Sequence, residues 1–180
     1  MTGGGVNVAL TRLGEVLRWP EPIELLLVGG AAGLMTGLLP AERTTADCDV
    51  MRYLPQDAVA ALELASRTVA EELGLNPRWL NADVEHVGVL PDGWAGRRQR
   101  VGQFGELYVY AVGREDLIAM KFYAGRDQDL DDLDALVVTE RDATFVRCYL
   151  VDRPRLSPRP IALEKIAAAL ELLDGWEPLP

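Results

Sequence analysis

Hydrophobic residues along the chain recur at two spacings, which predict alternating strands and helices. Short apolar or alternating runs are typical of strands, and apolar residues three or four positions apart are typical of helices. The predicted strands are residues 23–28, 47–51, 101–104 and 107–112, the last two paired as a hairpin across Gly105. The predicted helices cover residues 6–17, 31–39, 59–73, 117–123, 130–137, 144–150 and 163–173. The pattern predicts an α/β fold with a small mixed β-sheet flanked by helices and a helical C-terminal extension.

Prolines and arginines are concentrated in residues 151–160, which contain three of each and predict a linker. The interpretation that follows is a domain at residues 1–150, with residues 151–180 forming the linker and a C-terminal helix packed on that domain. A chain of 180 residues is long enough for one domain with a proper core. Residues 76–94 are harder to interpret, and residues 84–90 within them are a candidate short strand.

Two glycines follow the first predicted strand, and two aspartates flank Cys48 in the second. Alternation along a strand places Asp47 and Asp49 on one face, where their like charges repel unless a cation lies between them. Mg²⁺ is typically bound by one or two carboxylates together with substrate phosphates. Gly29 and Gly30 allow close approach to the backbone, and a helix N-terminus attracts anions. The sequence therefore predicts a phosphate site beside a Mg²⁺ (or Mn²⁺) site at Asp47 and Asp49.

This arrangement resembles the signature of the minimal nucleotidyltransferase superfamily. The glycine pair on a strand-to-helix turn is followed by Arg-Thr-Thr-Ala-Asp-Cys-Asp at residues 43–49. Segments farther along the chain resemble a bacterial branch related to AbiEii-type nucleotidyltransferase toxins, and the whole resemblance covers roughly residues 22–137. Those segments are residues 79–81, 116–121, 124–126 and 129–133.

The resemblance implies transfer of a nucleoside monophosphate from an NTP to an acceptor hydroxyl. In that mechanism two Mg²⁺ ions are held by Asp47 and Asp49, one activating the acceptor oxygen and the other stabilising the leaving pyrophosphate. The nucleotide-binding residues that the resemblance implies are Gly29, Gly30, Arg43, Thr45 and Lys121. The acceptor is left open: a tRNA end, a protein side chain or a small molecule.

Nucleotidyl transfer normally uses a third carboxylate on a neighbouring strand. Glu106, at the start of the fourth predicted strand, is the first candidate, and Asp83 and Glu85 are the alternatives. The alternative interpretation of each of these three residues is a solvated side chain without a catalytic role. Lys121 lies within an apolar helical run and so needs a charge partner. The candidates are a nucleotide phosphate, the site carboxylates Asp47 and Asp49, and the nearby Asp129. The resemblance implies that Lys121 and Asp129 contribute to activity.

Several charged positions have a structural interpretation beside a functional one. The arginines at 97, 98 and 100 form either a solvated hairpin edge or a contact for nucleic acid or an acidic partner. The residues at 126, 129 and 132 are spaced by three, as in a salt-bridged helix face. His86 is interpreted as a structural or surface residue, and a single histidine excludes a two-histidine metal site.

Charge and cysteine content narrow the class of protein. A net charge of -10 argues against nonspecific binding of duplex DNA, which depends on neutralisation of phosphates by Lys and Arg. Two cysteines are too few for a disulfide scaffold and favour a reducing, cytoplasmic setting. No segment resembles a signal peptide or a membrane span. Two further functions stay open: an inactive nucleotide-binding module that has lost its third carboxylate, and a toxin–antitoxin component whose acidic surface masks a basic cognate protein.

Overall fold

The computed structural model describes residues 1–53, 56–84, 90–156 and 160–179. Glu85 and His86 lie outside these ranges, as does most of the candidate strand at 84–90. The strands are β1 (Ile23–Leu27), β2 (Cys48–Tyr53), β3 (Leu80–Asn81), β4 (Gln99–Phe104) and β5 (Leu107–Ala111). The helices are α1 (Gly3–Val16), α2 (Gly29–Met35), α3 (Gln56–Leu73), α4 (Trp94–Arg97), α5 (Arg114–Ala124), α6 (Asp127–Leu136), α7 (Glu140–Leu156) and α8 (Pro160–Asp174). Within the described ranges, no helix is both long enough and apolar enough to cross a membrane.

The chain divides into two compact units, which are described separately. The sheet unit comprises Met1–Val87 and Arg98–Val112, and the helical unit comprises Gly88–Arg97 and Gly113–Pro180. The predicted α/β class and the predicted small mixed sheet with flanking helices are confirmed.

One mixed sheet organises the sheet unit, with strand order β3-β2-β1-β5-β4. The central strand β1 runs parallel to β5 and antiparallel to β2, and β4 and β5 form the predicted antiparallel hairpin. Four of the five residues of β1 are buried, as expected for a strand covered on both faces. The short strand β3 was not predicted; it pairs in parallel with the start of β2 at the edge of the sheet.

Helix α1 lies against the β4–β5 hairpin through a contact that requires glycine. A Cβ atom at Gly14 would lie only 2.1 Å from the carbonyl oxygen of Phe104, so no side chain fits there. The same helix buries the apolar residues that its spacing predicted, Val6, Leu10 and Leu13. Helix α2 packs against β2 and β5, and this packing places the residues that follow β1 beside β2.

The helical unit is built around α5, which contacts α6, α7 and α8. Its predicted apolar run is confirmed as buried, including Leu117, Ile118 and Phe122, and the ring of Trp176 meets Phe122 edge-on at 5.5 Å. Arg114 of α5 donates to Asp142 of α7 at 2.6 Å. Polar contacts between helices therefore supplement an apolar core.

The predicted linker is wrong over residues 151–156, which continue α7. Arg153 explains why this proline-containing stretch stays helical. Its side chain is 1% exposed, donates to the Tyr149 hydroxyl at 2.6 Å and lies 3.8 Å from the centre of the Tyr123 ring. Pro154 removes one helical hydrogen bond, and the stacking of Arg153 on two aromatic rings offsets that loss.

Three smaller predictions also differ from the structure. Helix α2 begins at Gly29 and ends at Met35, rather than covering 31–39, because Gly37 takes a left-handed conformation with φ of 70°. Leu64 and Leu73 belong to the apolar pattern that predicts α3, but they are 61% and 39% exposed. Val137 follows α6 as its C-cap instead of continuing the helix.

Candidate functional site: the glycine turn and the aspartate pair

The turn after β1 brings Gly29 against Asp49. The backbone N–H of Val28 donates to the carbonyl oxygen of Asp49 at 3.0 Å and so fixes the end of β1 beside β2. Gly29 then adopts a φ of 59°, a left-handed conformation that side chains rarely allow. A Cβ atom at Gly29 would lie 3.3 Å from Oδ2 of Asp49. The carboxylate of Asp49 therefore faces the glycine turn directly.

Gly30 lies beneath the loop that leads into β2. A Cβ atom at Gly30 would lie 3.2 Å from Oγ1 of Thr45 and 3.6 Å from Nη2 of Arg43. The hydroxyl of Thr45 donates to the carbonyl oxygen of Asp47 at 2.9 Å. The structure thus brings together Gly30, Arg43, Thr45 and the aspartate segment. Gly30, Arg43, Thr45 and the two aspartates are each only half-buried, so the cluster is partly open to solvent.

Asn81 occupies the neighbouring strand position, where a third carboxylate was expected. In the parallel pairing of β2 and β3, Asn81 is aligned with Asp49. Its amide nitrogen donates to Oδ2 of Asp47 at 3.4 Å, and its amide oxygen accepts the backbone N–H of Asp83 at 3.2 Å. The sequence analysis assigned no role to Asn81. The signal that could have indicated the short edge strand is the apolar pair Trp79-Leu80 at its start.

Of the two described candidates for the third carboxylate, Glu106 lies away from the aspartate pair, and the Asp83 carboxylate is paired with an arginine. Glu106 is exposed in the β4–β5 turn, and its carbonyl oxygen accepts the N–H of Ile23, the first residue of β1. The glycine turn follows the other end of β1, about 13 Å away at the usual rise of a strand. Asp83 pairs at 2.5 Å with Arg78, and its side chain is 66% exposed. The placement of Glu106 corrects that assignment, the alternative Asp83 stays a prediction, and Glu85 lies outside the described residues.

Cys48 lies between the two aspartates but is not a reactive thiol. Burial raises the pKa of Cys48 to about 12, and the negative charges of Asp47 and Asp49 act in the same direction. The thiol therefore stays protonated at neutral pH, where only the thiolate is a strong nucleophile or metal ligand. The side chains of this segment that can bind a metal at neutral pH are therefore those of the two aspartates.

Lys121 has two carboxylate partners within the helical unit. Its ammonium lies 3.1 Å from Asp129 and 2.5 Å from Asp132, and all three side chains are at most 4% exposed. Arg126 also donates to Asp129, at 2.7 Å. Burial works to raise the pKa of Asp129, but Arg126 and Lys121 outweigh it and hold this pKa below its ordinary value. Of the partners proposed for Lys121, the Asp129 pair is confirmed, and its contribution to activity stays a prediction.

The arginine cluster at 97, 98 and 100 is not simply a solvated edge. Arg97 ends α4 and forms a two-pronged bond to Asp116, which has no exposed surface. This bond raises the pKa of the Arg97 guanidinium. Arg98 pairs with Glu24 at 2.8 Å and covers the ring of Tyr110 at 4.0 Å. The solvated interpretation is wrong for Arg97 because its charge neutralises a buried carboxylate.

The donor set at the end of β1 and the start of β2 suits a hard divalent cation. Asp47 and Asp49 supply carboxylate oxygens, which are preferred ligands of Mg²⁺ and Mn²⁺. Among the described residues, no group of three or more His, Cys, Asp or Glu side chains is placed to hold a metal ion. Two carboxylates suffice where substrate phosphates complete the coordination. The residues present therefore fit a metal that arrives with a nucleotide.

Comparison with known proteins identifies the family. The model of the family described as "Nucleotidyltransferase of unknown function (DUF6036)" matches residues 9–153, which contain the glycine turn and the aspartate pair. No curated protein and no solved structure matches the chain. Because the family model covers most of the 180 residues, the chain belongs to the nucleotidyltransferase family DUF6036.

Proposed function

We propose that this protein is a metal-dependent enzyme that transfers a nucleoside monophosphate from an NTP to an acceptor hydroxyl. The observation that carries the proposal is the cluster at the end of β1. There Asp49 faces Gly29, and the loop holding Arg43, Thr45 and Asp47 covers Gly30. Family membership supports the reaction class. A phosphate-binding turn and a cation-binding carboxylate pair at one place are what the reaction requires.

Five residues of the cluster have a role in the proposed reaction. The acceptor oxygen bonds to the α-phosphorus of the NTP, the bond from that phosphorus to the pyrophosphate oxygen breaks, and the hydroxyl proton passes to solvent. Backbone N–H groups of Gly29 and Gly30 bind the phosphates, and the Arg43 guanidinium neutralises their charge. Asp47 and Asp49 would hold Mg²⁺ or Mn²⁺, which would supply charge neutralisation and lower the pKa of the acceptor hydroxyl.

One observation favours a second candidate, a nucleotide-binding module without transfer activity. An amide, Asn81, stands beside Asp47 where a third carboxylate was expected. An amide contributes no negative charge to hold a second metal ion, and activation of the acceptor would then rest on one ion. Such a module binds Mg²⁺ and an NTP but releases no pyrophosphate.

A radiolabel assay separates the two candidates. Each of the four α-³²P-labelled NTPs is incubated with the protein, Mg²⁺ or Mn²⁺, and separate acceptors: tRNA, protein and small hydroxylated molecules. Pyrophosphate release with transfer of label, lost in Asp49→Asn, supports the enzyme. Metal-dependent NTP binding without pyrophosphate release from any acceptor supports the binding module. Absence of NTP binding rejects both.

The relation to AbiEii-type toxins and a cognate protein partner stay predictions. Both are tested by expressing the chain with and without its neighbouring gene and measuring growth. Inhibition of growth that the neighbour relieves, together with co-purification of the two proteins, is the expected result for a toxin–antitoxin pair. Unimpaired growth in both cases contradicts that relation.

A further inference from the structure

The sheet face that carries the aspartate pair continues across β1 to β5. Residues two apart along a strand share a face, and so do residues aligned in neighbouring strands. Met51, two residues after Asp49, is aligned with Leu26 of β1, and Leu26 is aligned with Tyr110 of β5. Tyr108, two residues before Tyr110, has the same orientation. The two tyrosines therefore lie on the same face of the sheet as the aspartates.

Two arginines from the β4 edge cover these two rings. Arg98, just before β4, lies 4.0 Å from the centre of the Tyr110 ring and is held there by Glu24 at 2.8 Å. Arg100 is aligned with Tyr110, and its guanidinium lies 5.8 Å from the centre of the Tyr108 ring. We call the two arginine–tyrosine pairs (Arg98 with Tyr110, Arg100 with Tyr108) the arginine–tyrosine strip.

The strip reaches solvent. Arg100 is exposed, the Arg98 side chain is 28% exposed, and both tyrosines are half-buried. Arg98 is already paired, but a guanidinium stacked on a ring still offers its other flat side, and nucleobases stack on arginine planes as well as on aromatic rings. Arg100 donates to Gln103 at 3.2 Å, and a guanidinium has five N–H donors. The strip can therefore stack bases and bind a phosphate.

The position of the strip favours the acceptor, rather than the NTP, as its ligand. The glycine turn, which would hold the NTP phosphates, lies beyond the end of β1, and Asp49 is hydrogen-bonded to Val28 at that end. Tyr110 is aligned with Leu26, within β1, about 12 Å from Asp49 between Cα atoms at the usual strand spacing and rise. In an in-line displacement the acceptor lies opposite the leaving pyrophosphate. An acceptor above the strip has that position.

We propose that the arginine–tyrosine strip binds the end of a single-stranded nucleic acid and that this strand is the acceptor. This inference rests on the proposed function and names its acceptor class. Two successive bases stack on the two arginine–tyrosine pairs; bases in a duplex are already stacked on one another, so the strip selects single strands. The oxygen of the terminal hydroxyl bonds to the α-phosphorus of the NTP, the bond to pyrophosphate breaks, and the hydroxyl proton passes to solvent.

Binding to the strip is testable without NTP or metal. Fluorescence anisotropy is measured with an end-labelled, unstructured RNA, with DNA of the same sequence, and with the RNA duplex. Tyr110→Leu removes the ring that holds Arg98 and should raise the dissociation constant for single strands about tenfold, on the usual scale for one stacked base. Tyr110→Phe keeps the ring and should bind as tightly as the wild type.

Arg100→Gln guards against a variant that simply fails to fold, because Arg100 is exposed. Loss of one phosphate contact should reduce the slope of log K against log salt concentration by roughly 0.7. Arg67→Gln is the matched control. Arg67 is also exposed, but it lines a pocket with Val50 and Leu80, whose side chains point to the other face of the sheet. Its affinity and salt dependence should equal those of the wild type.

Three results overturn the proposal: no single strand binds, the duplex binds as tightly as the single strands, or neither Tyr110→Leu nor Arg100→Gln changes the affinity or its salt dependence. The last result would make the strip a solvated sheet edge. Equal binding of RNA and DNA identifies recognition of bases and phosphates alone, and preference for RNA identifies an added contact to the 2′-hydroxyl. Either supports the proposal.

Failure of the proposed function is seen separately, in the labelled-NTP assay. A protein that transfers label to another acceptor but binds no single strand keeps that function and loses this acceptor site. A protein that binds single strands but no NTP keeps the strip as a nucleic-acid site, and the strip's role as an acceptor site is overturned.

Discussion

Replacing Lys121 tests whether this residue serves the fold or the nucleotide. Lys121→Met keeps the length of the side chain and its apolar stem but removes the charge. The ammonium lies 3.1 Å from Asp129 and 2.5 Å from Asp132, with all three side chains almost fully buried. The variant therefore leaves two negative charges in the interior of the helical unit without this cation.

The size of the effect follows from those contacts. Breaking a buried ion pair by removing one partner costs about 3–5 kcal/mol. Asp129 keeps its bond to Arg126, so we expect the lower end, about 3 kcal/mol. For a chain of this length the thermal midpoint should fall by about 6–12 °C. Adding Asp132→Leu removes one of the two carboxylates that lose this cation and should restore about 1–2 kcal/mol.

Thermal and denaturant unfolding followed by circular dichroism give the stability, and calorimetry gives the NTP affinity. Lys165→Met is the matched control, because Lys165 is exposed and lies 5.7 Å from the centre of the Tyr123 ring. Its free energy of unfolding should change by less than about 0.5 kcal/mol. If Lys121→Met is as stable as Lys165→Met but binds NTP more weakly, the structural reasoning is refuted and Lys121 serves the nucleotide.

Three further changes test the site and its surroundings. Gly30→Val should lower NTP affinity more than stability, because a Cβ atom there would press on Thr45 at 3.2 Å; normal NTP binding measured by calorimetry would make Gly30 a turn residue only. Asn81→Asp should raise Mn²⁺ affinity about tenfold, since a third carboxylate joins the pair, and lower the thermal midpoint without metal; unchanged affinity would place the metal elsewhere. Burial works to raise the pKa of Asp142, but its bonds to Arg114 and Thr139 hold it below the ordinary 3.8, so its stabilising effect is complete above about pH 5 and is lost as the pH falls through the lowered value. Asp142→Asn should therefore unfold with a weaker pH dependence below about pH 5 in acid titrations followed by circular dichroism, and an unchanged dependence would contradict this assignment.

Local patterns predicted the elements whose burial follows a simple period. The helical spacing of Leu10 and Leu13 identified α1, and the Gly105 turn identified the β4–β5 hairpin. The closeness of the glycine turn and the aspartate segment was also predictable. The turn ends one strand and the aspartates begin the next, and two such strands can be paired in a small sheet in only a few ways. These features depend on neighbouring residues and on the alternation of a strand.

The errors concern contacts between distant parts of the chain. Alternation indicates the face of a strand but not which end lies near the site, so it did not exclude Glu106. A two-residue strand such as β3 is too short to show a period, so Asn81 was missed. The linker prediction failed because composition does not reveal that Arg153 is buried against aromatic rings from two helices.

The most direct test of the account is calorimetric titration with Mn²⁺ in the presence of a nonhydrolysable NTP. The wild type is compared with the Asp47→Asn/Asp49→Asn double variant and with Glu106→Gln, which removes an exposed carboxylate at the other end of β1. We expect metal binding in the wild type and in Glu106→Gln, and its loss in the double variant with an unchanged or higher thermal midpoint, because repulsion between the carboxylates is relieved. Undiminished Mn²⁺ binding in the folded double variant would contradict the central claim that Asp47 and Asp49 form the metal site of a nucleotidyltransferase.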